Sequence, residues 1–144
     1  MAEEILYQKS FPVGGGDFDK AGEVSTQIKA ILKEAGLGST IIRRVAIASY
    51  EAELNVVIHA VEGVVDFKLT PEQIELVVKD KGPGIGDIEL AMQEGFSTAS
   101  DEMREKGFGA GMGLPNIKRT SDDLKIDSVV GEGTTLWIKI RIGE

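Results

Sequence analysis

The sequence predicts an α+β fold: a two-layer sandwich in which one sheet, mixed or antiparallel, is covered on one face by helices. Three observations lead there. Two consecutive stretches, about 18–35 and 40–61, carry apolar residues at helical rather than strand spacing. Five other stretches have strand character, three of them with apolar residues at every second position. Their order, β-α-α-β-β-α-α-β-β, suits two packed layers. At 144 residues the chain has room for one compact domain, residues 1–144, and too little for two with separate cores.

Residues 4–13 mix β-branched, aromatic and polar side chains and end at Pro12 and the Gly14–Gly16 run, which reads as a strand and a turn. Asp17 stands where it can cap a helix in which Phe18, Ala21, Val24, Ile28, Ile31, Leu32 and Ala35 form one stripe before Gly36 closes it. Ser39 or Thr40 caps the next helix, which runs to about Val61. Its apolar residues, from Ile42 and Val45 to Val57 and Ile58, wrap nearly all the way round, so it is central and mostly buried. Strands at about 63–70 and 73–80 flank the turn Thr70-Pro71-Glu72 as a hairpin. After Gly82-Pro83-Gly84 comes a short helix around 87–93, then a stretch from Gly95 to Gly111, rich in Gly, Ser and charge, that reads as a functional loop. A helix near 112–121 leads into strands at 124–130 and 134–142.

Composition narrows the function. Sixteen basic against 24 acidic residues give a net charge of −8, which excludes a general phosphate-backbone binder and makes nucleic acid an unexpected partner. Any phosphate must be gripped locally. The absence of cysteine excludes disulfides, thiolate metal sites and cysteine nucleophiles, and permits a reducing compartment. A single histidine, His59, excludes a multi-histidine zinc site within one chain. MAEEILYQ lacks the basic region and apolar stretch of a secretion signal, and no apolar run approaches the ~18 residues a bilayer span needs, so a cytoplasmic location without membrane contact is expected. Glycine is abundant, 18 of 144 against a usual ~7%, and clustered, as where backbone lies close to a ligand or turns with positive φ.

Glu51 and Asn55 lie four apart on the most apolar helix and project from nearly the same face. Unpaired burial of such groups costs about 1–3 kcal/mol each, so the face lines a polar cavity or the helix has one wet side. Glu53, pointing elsewhere, is read as belonging to a wet side. Asp80-Lys81-Gly82-Pro83-Gly84 follows a strand directly. Asp80 can accept a hydrogen bond from an exocyclic amine of a planar ligand lying against the glycines, or can close a tight turn. Gly107-Phe108-Gly109-Ala110-Gly111-Met112-Gly113 places glycine at every second position before a helix, which frees amides to wrap an anion at a helix N-terminus. Lys106 either adds positive charge there or is solvated beside Glu105. Gly131-Glu132-Gly133-Thr134 reads as a hairpin turn, or Thr134 bonds a ligand's edge.

In this order, Glu51-x-x-x-Asn55, Asp80-x-Gly82-x-Gly84, the Gly107–Gly113 loop and Gly131-x-Gly133-Thr134 resemble the N, G1, G2 and G3 boxes of the GHKL ATPase superfamily. Within it, GFSTAS at 95–100 and GAGMGLPNIKR at 109–119 look most like the bacterial anti-sigma-factor serine/threonine kinases and the switch kinases of the stressosome. The resemblance implies the Bergerat ATP-binding fold, with a mixed sheet covered on one face by helices, and ATP and Mg²⁺ as cofactors. It implies Asn55 as the Mg²⁺ ligand, Glu51 as the general base, and Asp80 as the reader of the adenine amine, supported by Thr134. Gly82 and Gly84 would let the ring lie close. Gly107, Gly109, Gly111 and Gly113 would cover the phosphates as a lid, with Lys106 as a phosphate contact. Phe96 would anchor the lid, and Ser97 or Thr98 would make polar contacts. Lys81 departs from the amide or acid of many relatives, and the resemblance gives His59 a structural role.

The function so implied is an ATP·Mg²⁺-dependent protein serine/threonine kinase that phosphorylates a STAS-domain antagonist and regulates transcription by partner switching. The alternatives are a nucleotide-gated module that sequesters a sigma factor or activates a phosphatase, and a stand-alone histidine-kinase catalytic domain. A homodimer is a further expectation from the resemblance.

Overall fold

The computed structural model describes residues 4–93 and 113–143. Strand β1 (Tyr7–Gly14) is followed by a 3-10 turn at Phe18–Lys20, helices α1 (Glu23–Glu34) and α2 (Ser39–His59), and the β2 (Glu62–Leu69) and β3 (Gln73–Lys81) hairpin. A short helix α3 (Ile88–Ala91), helix α4 (Gly113–Thr120) and the strands β4 (Asp123–Val129) and β5 (Gly133–Arg141) are the further elements among the described residues. Each element falls within a few residues of its expected place. The strands form one sheet in the order β1-β2-β3-β5-β4.

Among the described residues all four strand pairings are antiparallel, where the family resemblance implied mixed pairing. The connections explain it. Two helices between β1 and β2 bring the chain back to the end of the sheet where β1 finished, so β2 returns beside it in the opposite sense. Tight turns then impose the same sense on the β2–β3 and β4–β5 pairs. In the first of these turns, the buried Thr70 accepts the Glu72 and Gln73 N–H groups on its hydroxyl at 3.3 and 3.2 Å.

One face of the sheet carries the core. Val65, Phe67, Leu69, Ile74, Leu76, Val78, Leu136, Ile138 and Ile140 pack beneath Ile28 and Leu32 of α1, Val45, Ala52 and Val56 of α2, and Ile117 of α4. Each large apolar side chain so buried contributes about 1.5–3 kcal/mol. At the end of α1, Gly36 turns at φ 81°, with Gly36 N–H donating to Lys33 O and Leu37 N–H to Leu32 O, the paired bonds that close a helix on glycine.

The start of α1 differs from the sequence expectation. Asp17 makes no cap; the chain bends again at Gly22, φ 99°, and α1 begins after it. The cap comes instead from Glu53 of α2, whose carboxylate accepts N–H bonds from Gly22 at 3.0 Å, Val24 at 3.3 Å and Ser25 at 3.2 Å. Glu53, read as belonging to a wet side, is only 2% exposed. A buried carboxylate satisfies three unpaired amides at once and meets the positive end of the helix. Ser39 also does not cap α2; Gly38 occupies that position.

Burial pushes the Glu53 carboxyl above its ordinary range, and the three backbone bonds partly offset it. A carboxyl whose folded-state pKa is raised makes the folded state the better proton binder, so its contribution to stability falls as pH rises through that raised value. Glu53→Gln, which cannot titrate and offers one acceptor oxygen in place of two, is expected to cost about 1–3 kcal/mol at neutral pH. Thermal melts of both proteins across a pH series should show the gap narrowing as pH rises; a gap that widens would contradict the assigned sign.

Candidate functional site

Helix α4 runs antiparallel along one face of α2. Arg44, Ala48, Glu51 and Asn55 recur at spacings of four, three and four, so they form a single stripe. At one end Arg44 Nε donates to Thr120 O at 2.9 Å, and its guanidinium pairs with Asp122 at 3.3 Å. In the middle Ala48 is fully buried, which lets the helices approach. At the other end α4 begins against the polar pair. A β-carbon built on Gly113 would stand 3.2 Å from Asn55 Oδ1 and 3.6 Å from Glu51 Oε2. Between these contacts Asn116 Nδ2 donates to Glu51 Oε1 at 3.2 Å. The face is covered by α4, and Glu51 has its polar partner there in Asn116.

The second cluster is built at the end of β3. Asp80 is half-buried and its Oδ1 accepts the Thr134 N–H at 3.1 Å. Burial pushes its carboxyl up, and the Thr134 bond pulls the other way. Gly133 closes on the same residue from β5: a β-carbon there would lie 2.0 Å from Asp80 O. Gly84, φ 76°, brings the preceding turn against Val129. Ser128 ties these pieces together. Its hydroxyl accepts the Ile85 N–H at 2.7 Å, lies 2.8 Å from Thr134 Oγ1, and donates to Gly133 O at 3.2 Å.

Helix α2 joins the clusters. A β-carbon on Gly82 would come 3.1 Å from Ala60 Cα, so the turn after Asp80 rests on the end of the helix that carries Asn55, roughly 7.5 Å further back along its axis. The structure therefore gathers Glu51, Asn55 and Gly113 into one group, and Asp80, Gly82, Gly84 and Thr134 into another, at the same end of α2. Lys106, Gly107, Gly109 and Gly111, with Phe96, Ser97 and Thr98, lie outside the described residues. Lys81 points to solvent and pairs with Glu62 at 3.3 Å. Burial pushes His59 down, toward the neutral form of a structural residue. A cavity of about 790 Å³ between the start of α1 and the sheet includes Asp80 and Glu53 in its lining, but neither Glu51 nor Asn55.

Three contributors escaped the sequence reading. Asn116 sits one turn after Gly113, a spacing that puts both on one helix face. Ser128 shares strand parity with the inward Leu124 and Ile126. Glu53 gave no signal, since spacing shows its direction but not the neighbour it meets.

The residues fit a purine nucleotide. A half-buried acceptor at a glycine turn suits an exocyclic amine, and a side chain at position 113 would crowd Asn55 Oδ1 and Glu51 Oε2. Among the described residues no group of three His, Cys, Asp or Glu could hold a metal. Asn55 Oδ1 is a hard oxygen that could join phosphate and water around an ion such as Mg²⁺.

Residues 17–140 match the histidine kinase-like ATPase domain family. The chain is 33% identical over 117 residues to the serine/threonine-protein kinase RsbT of Bacillus subtilis (strain 168), covering 76% of this chain and 82% of that protein. It is 37% identical over 98 residues to the anti-sigma F factor of Thermoanaerobacter sp. (strain X514), covering 65% of each, and 34% identical over 96 residues to that of Priestia megaterium, covering 62% of each. Among the described residues no helix is long and apolar enough to cross a membrane.

Proposed function

The chain belongs to the histidine kinase-like ATPase family, and from that premise we propose that it is an ATP·Mg²⁺-dependent protein serine/threonine kinase whose substrate is a STAS-domain antagonist. We take residues 1–144 as one ATPase domain working in the cytoplasm, without nucleic-acid or membrane contact, and as a homodimer. The observation that carries the reading is the disposition of Glu51. One of its oxygens is held by Asn116 while the other faces Asn55 and the start of α4, on the helix that also supports the Asp80 turn. An oxygen so placed suits a proton acceptor.

Bound ATP·Mg²⁺ supplies the transferable γ-phosphoryl group and its charge neutralisation. Asp80 accepts from the adenine amine, and Thr134 supports that edge through its hydroxyl, held by Ser128. Gly82 and Gly84 let the ring lie against backbone. Asn55 Oδ1 is the protein's oxygen for the metal. The resemblance implies that Lys106 and the glycines 107, 109, 111 and 113 would meet the phosphates. Glu51 orients the acceptor hydroxyl and takes its proton.

Incubation with labelled ATP and candidate STAS proteins tests the reading: acid-stable phosphate should appear on serine or threonine. No transfer to any of them, with ATP demonstrably bound, would refute it. Acid-labile phosphate on histidine would point to the stand-alone histidine-kinase alternative. The resemblance to proteins named anti-sigma F factor favours a second reading, nucleotide-gated capture of a sigma factor. Partner recovery equal in ATP, in ADP and with Asn55→Ala would remove it.

Asp80→Asn keeps the shape of the side chain and replaces an acceptor with an amide. Opposing an amine donor with an NH₂, or turning its single acceptor away from Thr134, is expected to weaken ATP binding by roughly 10–100-fold. Calorimetry checks this, and equal affinity would remove Asp80 from the adenine site.

A further inference from the structure

We propose that Asn116 is a positioning residue for Glu51, and that the docking of α4 on α2 thereby sets the geometry of the general base. The inference deepens the kinase reading and rests on it for its catalytic consequence, though not for the contact itself. Asn116 Nδ2 donates to Glu51 Oε1 at 3.2 Å, and Asn116 Oδ1 accepts from Arg119 Nη2. The two partners fix the amide's sense. With its oxygen toward a guanidinium, its NH₂ must face the carboxylate; a flipped amide would set oxygen against carboxylate and NH₂ against guanidinium, two repulsive contacts.

The anchor is itself rigid. Leu114, Pro115 and Ile117 on either side of Asn116 are buried, and α4 is held at its far end by the Arg44 bond to Thr120 O. A base must present one lone pair along one direction. A carboxylate on a three-carbon side chain does not do so unless one of its oxygens is tied. Tying Oε1 leaves Oε2 directed toward Gly113 and Asn55 Oδ1, where the acceptor and the phosphates would meet. Because Gly113 begins the same helix, whatever seats the start of α4 on the nucleotide also seats Asn116 on the base.

Two variants and one spectrum test this. Asn116→Ala should lower kcat about tenfold with the KM for ATP within about twofold, as expected when an interaction serves the transition state and not binding. Asn116→Asp preserves shape but replaces the donor with a second carboxylate beside the first, so its kcat should fall at least as far as that of Asn116→Ala. In the amide NMR spectrum of the wild type, the Asn116 side-chain NH₂ signals should shift on Glu51→Gln, a readout independent of activity. Asn116 signals unmoved by Glu51→Gln overturn the inference whatever the kinetics. An Asn116→Asp kcat that matches the wild type, or losses of kcat and ATP affinity in step, overturn it too by making Asn116 a packing residue of α4. A wild type that transfers no phosphate, with the NMR shift present, overturns the kinase reading and leaves the positioning contact standing.

Discussion

Glu51→Gln is expected to lower phosphoryl transfer by about 10²–10⁴-fold while leaving ATP affinity within about threefold. The substitution is isosteric, and the Gln carbonyl oxygen can still accept the Asn116 Nδ2 bond that Glu51 Oε1 accepts now. The packing of α4 on α2 is therefore kept, and so are Asn55 and Asp80. What goes is the second carboxylate oxygen, the one beside Gly113 and Asn55, as a proton acceptor. Asn55→Ala should behave otherwise: it removes the proposed metal oxygen, so binding of ATP·Mg²⁺ and transfer should fall together. Initial rates with labelled ATP, read beside calorimetric affinities, separate the two patterns. Transfer by Glu51→Gln within threefold of the wild type would remove Glu51 from the chemistry and leave the site a binding site.

How much of this was legible in the sequence depends on the reach of each signal. Period is local, so the strands, the two long helices and the glycine closure at Gly36 could be read directly. Order along the chain suggested two layers, and turn residues the sense of the hairpin pairs, but not the sense of the β1–β2 and β3–β5 pairs, which depends on the segments between them. The motif residues that are described could be picked out in advance because each motif is short and contiguous. The partners that organise them are distant in the chain: Glu53 reaches back about thirty residues to α1, and Asn116 reaches 65 residues back to Glu51. Helical spacing did show that Glu51 and Asn55 share a face and that Glu53 does not. It could not show that α4 covers the first face and the start of α1 the second. The misreading of Glu53 is instructive for that reason. A carboxylate on an apolar helix is costly only when it is unpaired, and the amides that pair it belong to a helix start that the sequence placed at Asp17.

The last expectation concerns two glycines of one turn. Gly131, φ 84°, and Gly133, φ 153°, both adopt backbone that side chains avoid, so alanine at either should cost about 1–3 kcal/mol in strain. Their surroundings differ. A β-carbon on Gly131 meets nothing within 4 Å, whereas one on Gly133 would lie 2.0 Å from Asp80 O, an overlap with backbone that no rotamer change relieves. Relief requires β3 and β5 to part at the point where Thr134 N–H donates to Asp80 Oδ1. Forced repacking of this kind adds a further 1–3 kcal/mol or so, enough to lower the thermal midpoint by about 10 °C or more in total. The cost should also fall on the ligand. Saturating ATP raises the midpoint of any variant that still binds it, by an amount set by ligand concentration over Kd. Gly131→Ala should keep that rise, and Gly133→Ala should lose most of it, because the displaced backbone carries the adenine acceptor. Equal midpoints and equal rises would mean that the β4–β5 turn is an ordinary hairpin, and that Asp80 is not held in place by the strand beside it.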